Sequence, residues 1–173
     1  MTDNRLALET FLPYRLNRLA EAVSRDFSRI YKERFGLTRP EWRLLATLGQ
    51  YGMMAATGIG AHSAMHKTKV SRAVTALEKR RWLMREADTQ DRRVERLSLT
   101  RAGEDAYRQL VPLAREFEQS LLARLASPDK QAARTGLDAL ESIIGSTAKS
   151  YQSTPPIGDS GDAAGYDGPA APA

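Results

Sequence analysis

The 173-residue sequence contains no cysteine. It therefore has no thiol for a disulfide, for a Cys-ligated zinc site, for nucleophilic catalysis or for a thiol redox switch. Long apolar runs are also missing, since no stretch approaches the roughly 20 apolar residues that a membrane-spanning helix needs. The first residues lack the basic and then apolar layout of a secretory signal. Together with a content of 42% apolar residues, these absences predict one soluble cytoplasmic domain with an apolar core.

Motifs for catalysis and metal binding are scarce as well. The sequence has no Gly-rich phosphate loop and no spacing that suggests a Ser-His-Asp triad, and its acids are scattered among bases. His62 and His66 are the only histidines, and as metal ligands on one helical face they lack the further ligands that a tetrahedral site needs. The sequence therefore favours a protein that is not an enzyme and that uses no cofactor and no metal.

Basic residues are concentrated in one quarter of the chain. Residues 62–101 contain eleven Lys or Arg against five Asp or Glu, whereas residues 150–173 contain three Asp and no basic residue. A concentrated positive field attracts phosphate backbones or acidic membranes, and the alternative is an ordinary solvated face. A membrane partner is disfavoured because the outward residues of this quarter are small and polar, without large apolar groups for insertion.

Two helices are predicted before the basic quarter. The first carries a long apolar stripe at steps of three and four and ends at Gly36. Thr38 and Glu41 form a capping-box pattern that begins a second helix over residues 40–50. The stripe of the first helix consists of Leu8, Leu12, Leu16, Leu19, Val23, Phe27 and Ile30.

Residues 57–66 and 67–81 predict two more helices joined by a tight turn. The second of these is clearly amphipathic. Its core face consists of Val70, Ala73, Val74 and Leu77. Its outward face consists of Thr68, Lys69, Ser71, Arg72, Thr75 and Lys79, with no acid among them.

After this helix the period changes, so residues 82–87 and 94–99 predict the two strands of a β-hairpin around an all-polar loop. A long helix follows from Thr100, and Ser127 begins a last helix. The apolar stripes of these two helices are Leu110, Leu113, Phe117, Leu121 and Leu125, and Leu137, Leu140 and Ile144. Residues 150–173, rich in Pro, Gly and Ala, predict a disordered tail.

Two short helices followed by a basic hairpin are the layout of a winged helix-turn-helix. A helix fits the major groove, where Lys69 and Arg72 can reach guanine or phosphate. Arg93 at the loop tip could enter the minor groove if Asp91 held its guanidinium extended across the loop. The alternative for Asp91 and Arg93 is a solvated surface pair, which is the simpler interpretation of the two residues in isolation.

These segments contain Val70-Ser71-Arg72, Leu77-Glu78-Lys79-Arg80, Asp91-Arg92-Arg93 and Leu97-Ser98-Leu99-Thr100-Arg101-Ala102-Gly103. With these motifs the sequence resembles the multiple-antibiotic-resistance regulator (MarR) family over about residues 10–148. The resemblance implies a homodimeric, ligand-responsive transcriptional repressor in which the first and last helices interlock two subunits, the helix over residues 67–81 reads the major groove and Arg93 enters the minor groove. Dimerisation would also cover the long apolar stripes, and two-fold symmetry predicts a pseudo-palindromic operator on double-stranded DNA.

The predicted fold class is therefore mainly α with a small β-hairpin, a winged helix-turn-helix flanked by long dimerisation helices. Residues 1–36 would form the N-terminal dimerisation helix and residues 37–103 the DNA-binding region. Residues 104–149 would form the C-terminal dimerisation helices, before the tail of residues 150–173.

The resemblance also implies an effector pocket between the dimerisation helices and the winged region. Tyr31 and Trp42 could stack on an aromatic ring, and Arg15 or Arg18 could pair with a carboxylate or phosphate, although Trp42 fits a role in the core at least as well. Residues 13–19 and 39–43 are similar to family members that control the breakdown of aromatic acids, which implies an aromatic acid or its CoA thioester as effector. The candidate effector residues are Tyr14, Arg15, Arg18, Tyr31, Trp42 and Arg43.

A non-specific architectural DNA-binding protein is the alternative function. Such a protein would show the same dependence on salt, but it would have no preferred operator and no ligand.

Overall fold

The computed structural model describes residues 5–87 and 95–152, with side chains up to residue 144. The described part of the chain is mainly helical with one small sheet, as the sequence predicts. The chain divides into two compact units after Ala123, and α6 belongs to the second unit. The elements are α1 (Leu12–Phe35), α2 (Arg39–Tyr51), β1 (Met54–Ala55), α3 (Ala56–Ser63), α4 (Lys67–Lys79), β2 (Leu83–Ala87), β3 (Glu95–Leu99), α5 (Arg101–Ala123) and α6 (Ser127–Gln152).

Helix α1 begins at Leu12, so Leu8 of the predicted stripe lies before the helix. Pro13 explains the start, because proline lacks an N–H and is tolerated only in the first turn, where that N–H has no intrahelical acceptor. The helix ends where predicted, at Gly36. This glycine has a left-handed φ of 61°, and its N–H donates to the Lys32 carbonyl at 2.8 Å.

Helices α2, α3 and α4 surround a common apolar core. The Thr38 N–H donates to the Glu41 carboxylate at 3.0 Å, as expected of the predicted capping box. Helices α3 and α4 both end earlier than predicted, because Ala64 and Arg81 adopt left-handed φ angles of 50° and 60°. The core residues on these helices include Leu44, Leu45, Leu48, Ile59, Val70, Ala73, Val74 and Leu77.

The sheet has three strands, whereas the sequence predicts two. Strands β2 and β3 form the predicted antiparallel pair, with Leu83 opposite Leu99, and the short β1 pairs antiparallel with the other edge of β3. Two residues are too few to show an alternating pattern, so the sequence carries no signal for β1. The polar loop of the predicted hairpin lies outside the described residues.

Thr100 joins the sheet and the end of α4 to α5. Its N–H donates to the Trp82 carbonyl at 3.0 Å, and its hydroxyl donates to the Arg81 carbonyl at 2.7 Å. The Gly103 N–H in turn donates to the Thr100 hydroxyl oxygen at 3.2 Å. A Cβ at Gly103 would lie 2.0 Å from the Trp82 carbonyl oxygen, so only glycine permits this approach. The Leu-Thr-x-x-Gly motif of residues 99–103 is therefore a structural joint.

The long helices of the first unit leave part of their apolar stripes uncovered. In α1, Phe27 is buried, whereas Leu19 is 59% and Val23 38% exposed. In α5, Leu110 is buried and Leu121 is exposed. Only the ends of the stripes that face the winged region are covered by this chain.

Helix α6 exposes Leu137 and Ile144. Leu125, assigned to the stripe of the preceding helix, lies beyond the end of α5 at Ala123. Helix α6 continues through Gln152, so residues 150–152 are helical and not part of a disordered tail, and the remainder of the predicted tail lies outside the described residues.

Candidate nucleic-acid interface and effector pocket

The outward face of α4 carries the six residues that the sequence selects for DNA contact. All six are exposed, while the four apolar residues of the opposite face are at most 3% exposed. The set includes three cations and no acid, so one side of the helix presents positive charge and hydrogen-bonding groups. The six residues are Thr68, Lys69, Ser71, Arg72, Thr75 and Lys79.

Thr75 differs from the other five because its hydroxyl proton is already used. It donates to the Ser71 carbonyl, one turn earlier in α4, at 3.1 Å. A hydroxyl bound in this way can accept a further hydrogen bond but has no proton left to donate. In this conformation Thr75 is suited to an amino group of a base edge and not to a phosphate oxygen.

Both histidines make contacts with other residues of the chain. His66 is the N-cap residue of α4, and its carbonyl accepts from the Lys69 and Val70 N–H groups at 2.9 and 3.1 Å, without a capping bond from its ring. His62 stacks on Tyr51 with 4.6 Å between ring centroids. Within residues 5–87 and 95–144, no group of three or more His, Cys, Asp or Glu side chains could hold a metal ion.

The charge of Arg85 on β2 is paired with two carboxylates of the same chain. Its Nε and Nη2 donate to the Glu78 carboxylate at 2.6 and 3.0 Å, and its Nη1 donates to Glu95 at 2.6 Å. These bonds, first those to Glu78, hold the pKa of Arg85 above its ordinary value. Arg85 therefore adds little to the positive surface, although it is one of the eleven basic residues of residues 62–101. Asp91 and Arg93 lie outside the described residues, so their role at the minor groove stays a prediction.

Two adjoining cavities of about 350 Å³ each lie beside α1 and α2 and share Ser24 and Arg39. Tyr31 lines the first cavity, and Trp42 and Arg43 line the second. The rings of Tyr31 and Trp42 are stacked, with 6.0 Å between centroids and 17° between planes. The structure therefore brings together three of the six residues that the sequence selects for effector contact.

Two buried polar atoms at these cavities have no hydrogen-bond partner among the described residues, namely the Tyr31 hydroxyl and the Arg39 Nε. Tyr31 is 1% exposed, and burial raises the pKa of its phenol, although the guanidinium groups of Arg39 and Arg43 and the neighbouring Ser28 hydroxyl oppose this shift. Leaving such a buried group unpaired costs about 1–3 kcal/mol. A neutral phenol and a partly unpaired guanidinium are together suited to a planar anion.

Arg39 is also held by a carboxylate of α1. Its Nη1 donates to Glu21 at 2.8 Å, and this bond and the charge of Arg39 lower the pKa of Glu21. The Arg39 and Glu21 side chains are 37% and 55% exposed, so the pair contributes little to stability. It does fix the direction of the Arg39 guanidinium at the boundary of the two cavities.

The other three candidate effector residues, Tyr14, Arg15 and Arg18, lie on the N-terminal half of α1. They are exposed, and none of them lines either cavity. The Arg18 guanidinium carbon lies 5.9 Å from the centroid of the Tyr14 ring, in a cation–π contact at the surface. Effector binding by these three residues stays a prediction.

Comparisons with known proteins identify the fold and the family. A model of the MarR family matches residues 37–94. The crystal structure of SPO1453, a MarR family transcriptional regulator from Silicibacter pomeroyi, is 33% identical, covers 79% of this chain and 99% of its own, and has a TM-score of 0.65. The chain belongs to the MarR family.

Two further similar proteins extend the comparison. YwoH of Bacillus subtilis, an uncharacterized HTH-type transcriptional regulator, is 27% identical over 121 residues, which are 70% of this chain and 87% of YwoH. BpsR of Bordetella bronchiseptica, whose DNA binding is regulated by 6-hydroxynicotinic acid, is 22% identical with a TM-score of 0.68, covering 80% of this chain and 97% of its own. BpsR shares the fold of this chain.

The MarR-family chain is a DNA-binding transcriptional regulator and not an enzyme. Residues 37–94, matched by the family model, contain α2, β1, α3, α4 and β2, and β3 follows at Glu95 to complete the winged helix-turn-helix. In the part of the chain that the structure describes, no helix is long and apolar enough to cross a membrane.

Ser24 and Arg39, which lie at the boundary of the two cavities, are not among the effector residues predicted from the sequence of this MarR-family chain. Arg39 opens α2, and its partner Glu21 lies 18 residues away in sequence. A signal was nevertheless present, because the polar residues of α1 that line the first cavity recur at steps of three and four, in the same way as its apolar stripe. These residues are Glu21, Ser24, Arg25, Ser28, Tyr31 and Lys32.

Proposed function

We propose that this MarR-family regulator is a homodimeric repressor that binds a pseudo-palindromic operator and is released by an aromatic acid or its CoA thioester. The observation that carries this proposal is the polar, basic outward face of α4, held in place by a fully buried opposite face. In this mode Lys69 and Arg72 reach base edges or phosphates in the major groove. Arg93, oriented by Asp91, enters the adjacent minor groove.

The uncovered apolar stripes support the dimer. Leu19, Val23 and Leu121 of the first unit and Leu137 and Ile144 of the second are all exposed in one chain. Contiguous apolar surface on a monomer favours association, and a second copy supplies the same stripes by symmetry. Two recognition helices related by a two-fold axis would lie about one DNA turn, roughly 34 Å, apart.

The paired cavities support an effector that is an aromatic acid. The Tyr31 hydroxyl and the Arg39 Nε are unsatisfied donors for a carboxylate or ring oxygen, and Trp42 with Phe27 supplies aromatic walls. A CoA thioester would extend past Arg25 and Lys32 of the first cavity, which are cationic partners for its phosphates. That BpsR responds to 6-hydroxynicotinic acid is consistent with a ligand of this class.

Release follows from a preference of the ligand for one spacing of the two recognition helices. If bound ligand favours the non-binding spacing by a few kcal/mol, operator affinity falls by a factor of ten or more. A compound that binds but leaves operator affinity unchanged would have equal affinity for both spacings and would not be the effector.

The first test is selection of bound genomic fragments at two salt concentrations. A palindromic site that survives moderate salt supports a sequence-specific regulator, whereas binding with no enriched site that vanishes steeply with salt supports the architectural alternative. Arg72→Ala should cost about 1–3 kcal/mol on the selected site and relax specificity at one position per half-site. Arg115→Ala, which removes an exposed cation of α5, is the matched control, and loss that is uniform across sequences would make Arg72 a phosphate contact.

The second test is Tyr31→Phe, measured with 6-hydroxynicotinate, benzoate and benzoyl-CoA as probes. Removing this buried hydroxyl, which makes no hydrogen bond of good geometry, should change the free energy of unfolding of the free protein by less than about 1 kcal/mol. The same change should weaken the binding of a responsive probe about tenfold in calorimetric titration. Loss of stability with unchanged probe affinity would contradict the proposed role of the phenol.

A further inference from the structure

The side chain of Arg80 links α4 to the α1–α2 junction, which we define as residues 35–41. Arg80 is the C-cap residue of α4. Its Nη1 donates to the Phe35 carbonyl at 2.8 Å, and its Nη2 donates to the Gly36 carbonyl at 2.7 Å. One guanidinium therefore holds two successive backbone carbonyls at the end of α1, more than 40 residues away in sequence.

Two further groups orient this guanidinium. The Glu41 carboxylate lies 4.0 Å from Nη2 and also accepts from the Thr38 N–H at 3.0 Å. The Arg80 guanidinium carbon lies 5.4 Å from the centroid of the Trp82 ring. Arg80 thus contacts both ends of the α1–α2 junction, and the aromatic ring limits its alternative conformations.

This arrangement depends on the chemistry of arginine. The last carbonyls of a helix have no intrahelical partner and carry the partial negative charge of the helix dipole. The planar fork of arginine offers parallel donors in a fixed geometry, whereas lysine offers a single flexible charge. Since α4 packs mainly on α2, α3 and β2, Arg80 adds a direct tie from the recognition helix to α1.

The same junction forms a wall of the first cavity. Gly36, Leu37, Thr38 and Arg39 line it, together with Tyr31. A group that enters the cavity contacts backbone adjacent to the two carbonyls that Arg80 holds. Any displacement of that backbone changes the anchor at the end of α4.

We propose that Arg80 is a positioning residue that couples the α1–α2 junction, and with it the first cavity, to the orientation of α4 on DNA. Arg80 acts through the junction, and no contact between Arg80 and DNA is required. The inference rests on the proposed function in that α4 is taken as the DNA-binding helix. Because coupling between two sites is reciprocal, DNA bound to α4 must change the affinity of the cavity for its ligand by the same factor by which that ligand changes DNA affinity, and the junction that carries the coupling must respond to DNA.

Reciprocity permits a test in which no effector is needed. Hydrogen exchange of the full chain is measured with and without a duplex, using either the selected operator or random DNA at low salt. The reporters are the Leu37 and Thr38 amides, which donate to the Tyr31 carbonyl and to Glu41. We expect DNA to slow exchange in α4 and also to change exchange at these two amides about fivefold or more in the wild type.

Arg80→Gln is the test variant, and Arg34→Gln, which removes an exposed charge from the last turn of α1, is the matched control. In Arg80→Gln, DNA should still protect α4, but the ratio of bound to free exchange at Leu37 and Thr38 should fall to about one. A merely structural loss of the α1 cap would speed exchange equally in both states and leave that ratio unchanged. Arg80→Lys, the conservative variant if Arg80→Gln fails to fold, should give an intermediate ratio.

The outcomes separate the coupling from the proposed function. Protection of α4 by DNA with no response at the junction, or with the wild-type response in both Arg80 variants, overturns the coupling while the DNA-binding face stands. Failure of DNA to protect α4 overturns the assignment of the DNA-binding face, and the coupling with it. A coupled junction on random DNA, with no operator recovered by selection, supports the coupling and contradicts only the proposed operator.

Discussion

Leucines of the winged region and leucines of the N-terminal half of α1 have opposite environments in the same chain. Leu44, Leu45 and Leu77 are fully buried, whereas Leu12 and Leu19 are 49% and 59% exposed. Both groups follow helical apolar patterns, so the difference lies in the available partners and not in the sequence pattern. The winged region is stabilised by contacts within one chain, whereas the outer part of α1 presents apolar side chains that the chain itself leaves exposed.

A substitution that disrupts the winged region should have the largest effect on the stability of the protein. In Gly103→Ala, the new Cβ would lie 2.0 Å from the Trp82 carbonyl oxygen, and a backbone atom cannot move aside as a side chain can. We expect a loss of about 3 kcal/mol or more in the free energy of unfolding, measured by urea denaturation. Strand β3 and α5 would lose their joint at Thr100.

Gly136→Ala is the matched control, because a Cβ at this position of α6 meets nothing within 4 Å. In a helix interior this change should stabilise the protein by up to about 1 kcal/mol. A Gly103→Ala protein as stable as wild type would show that the joint can open without cost to the winged region.

A substitution in the outer part of α1 should have a smaller effect, on association of the protomers and not on folding. Leu19→Glu places a charge on the exposed stripe, so dissociation of the proposed dimer should become at least tenfold easier while the winged region stays folded. Sedimentation equilibrium measures the first quantity and circular dichroism checks the second. Asn17→Glu adds the same charge to the opposite face of the helix and should leave the dimer intact, and equal effects of the two changes would contradict dimerisation through the stripe.

The ion pair between the two regions should have the smallest effect. Because Arg39 lowers the pKa of Glu21 below its ordinary value of 4.5, the folded chain binds this proton less readily than the unfolded chain. The stabilisation is present above pH 4.5 and is lost as the pH falls through the lowered value. Glu21→Gln should therefore lose slightly less stability than wild type between pH 5 and pH 3 in urea titrations, whereas Glu33→Gln, another exposed carboxylate of α1, should behave as wild type.

Much of the fold was predictable because it follows from local periodicity. The spacing of Val70, Ala73, Val74 and Leu77 predicts the buried face of α4, and all four are buried. The ends of α3 and α4 were harder to predict, since Ala64 and Arg81 adopt left-handed conformations that are usually adopted by glycine. Strand β1 was missed because it has two residues and depends on β3 for its structure.

The candidate site also has a part that local periodicity predicts and a part that it does not. The outward face of α4 was predictable, because residues on one helix share a face by rotation alone. The pair of Glu21 with Arg39 and the bonds from Arg80 to Phe35 and Gly36 join distant segments, and no periodicity predicts such contacts. From the sequence, Arg80 is one more basic residue of the positively charged quarter. In the structure its guanidinium donates to two backbone carbonyls.

The bare stripe on α1 has a consequence for gene dosage. For the proposed dimer, the species that recognises a full operator forms from two protomers, so at low copy number its concentration rises with the square of the amount of protein synthesised. Halving expression would then reduce operator occupancy about fourfold, before any ligand binds. The level of the regulator itself would thereby act as a second input to repression, set by apolar side chains that make no contact with DNA.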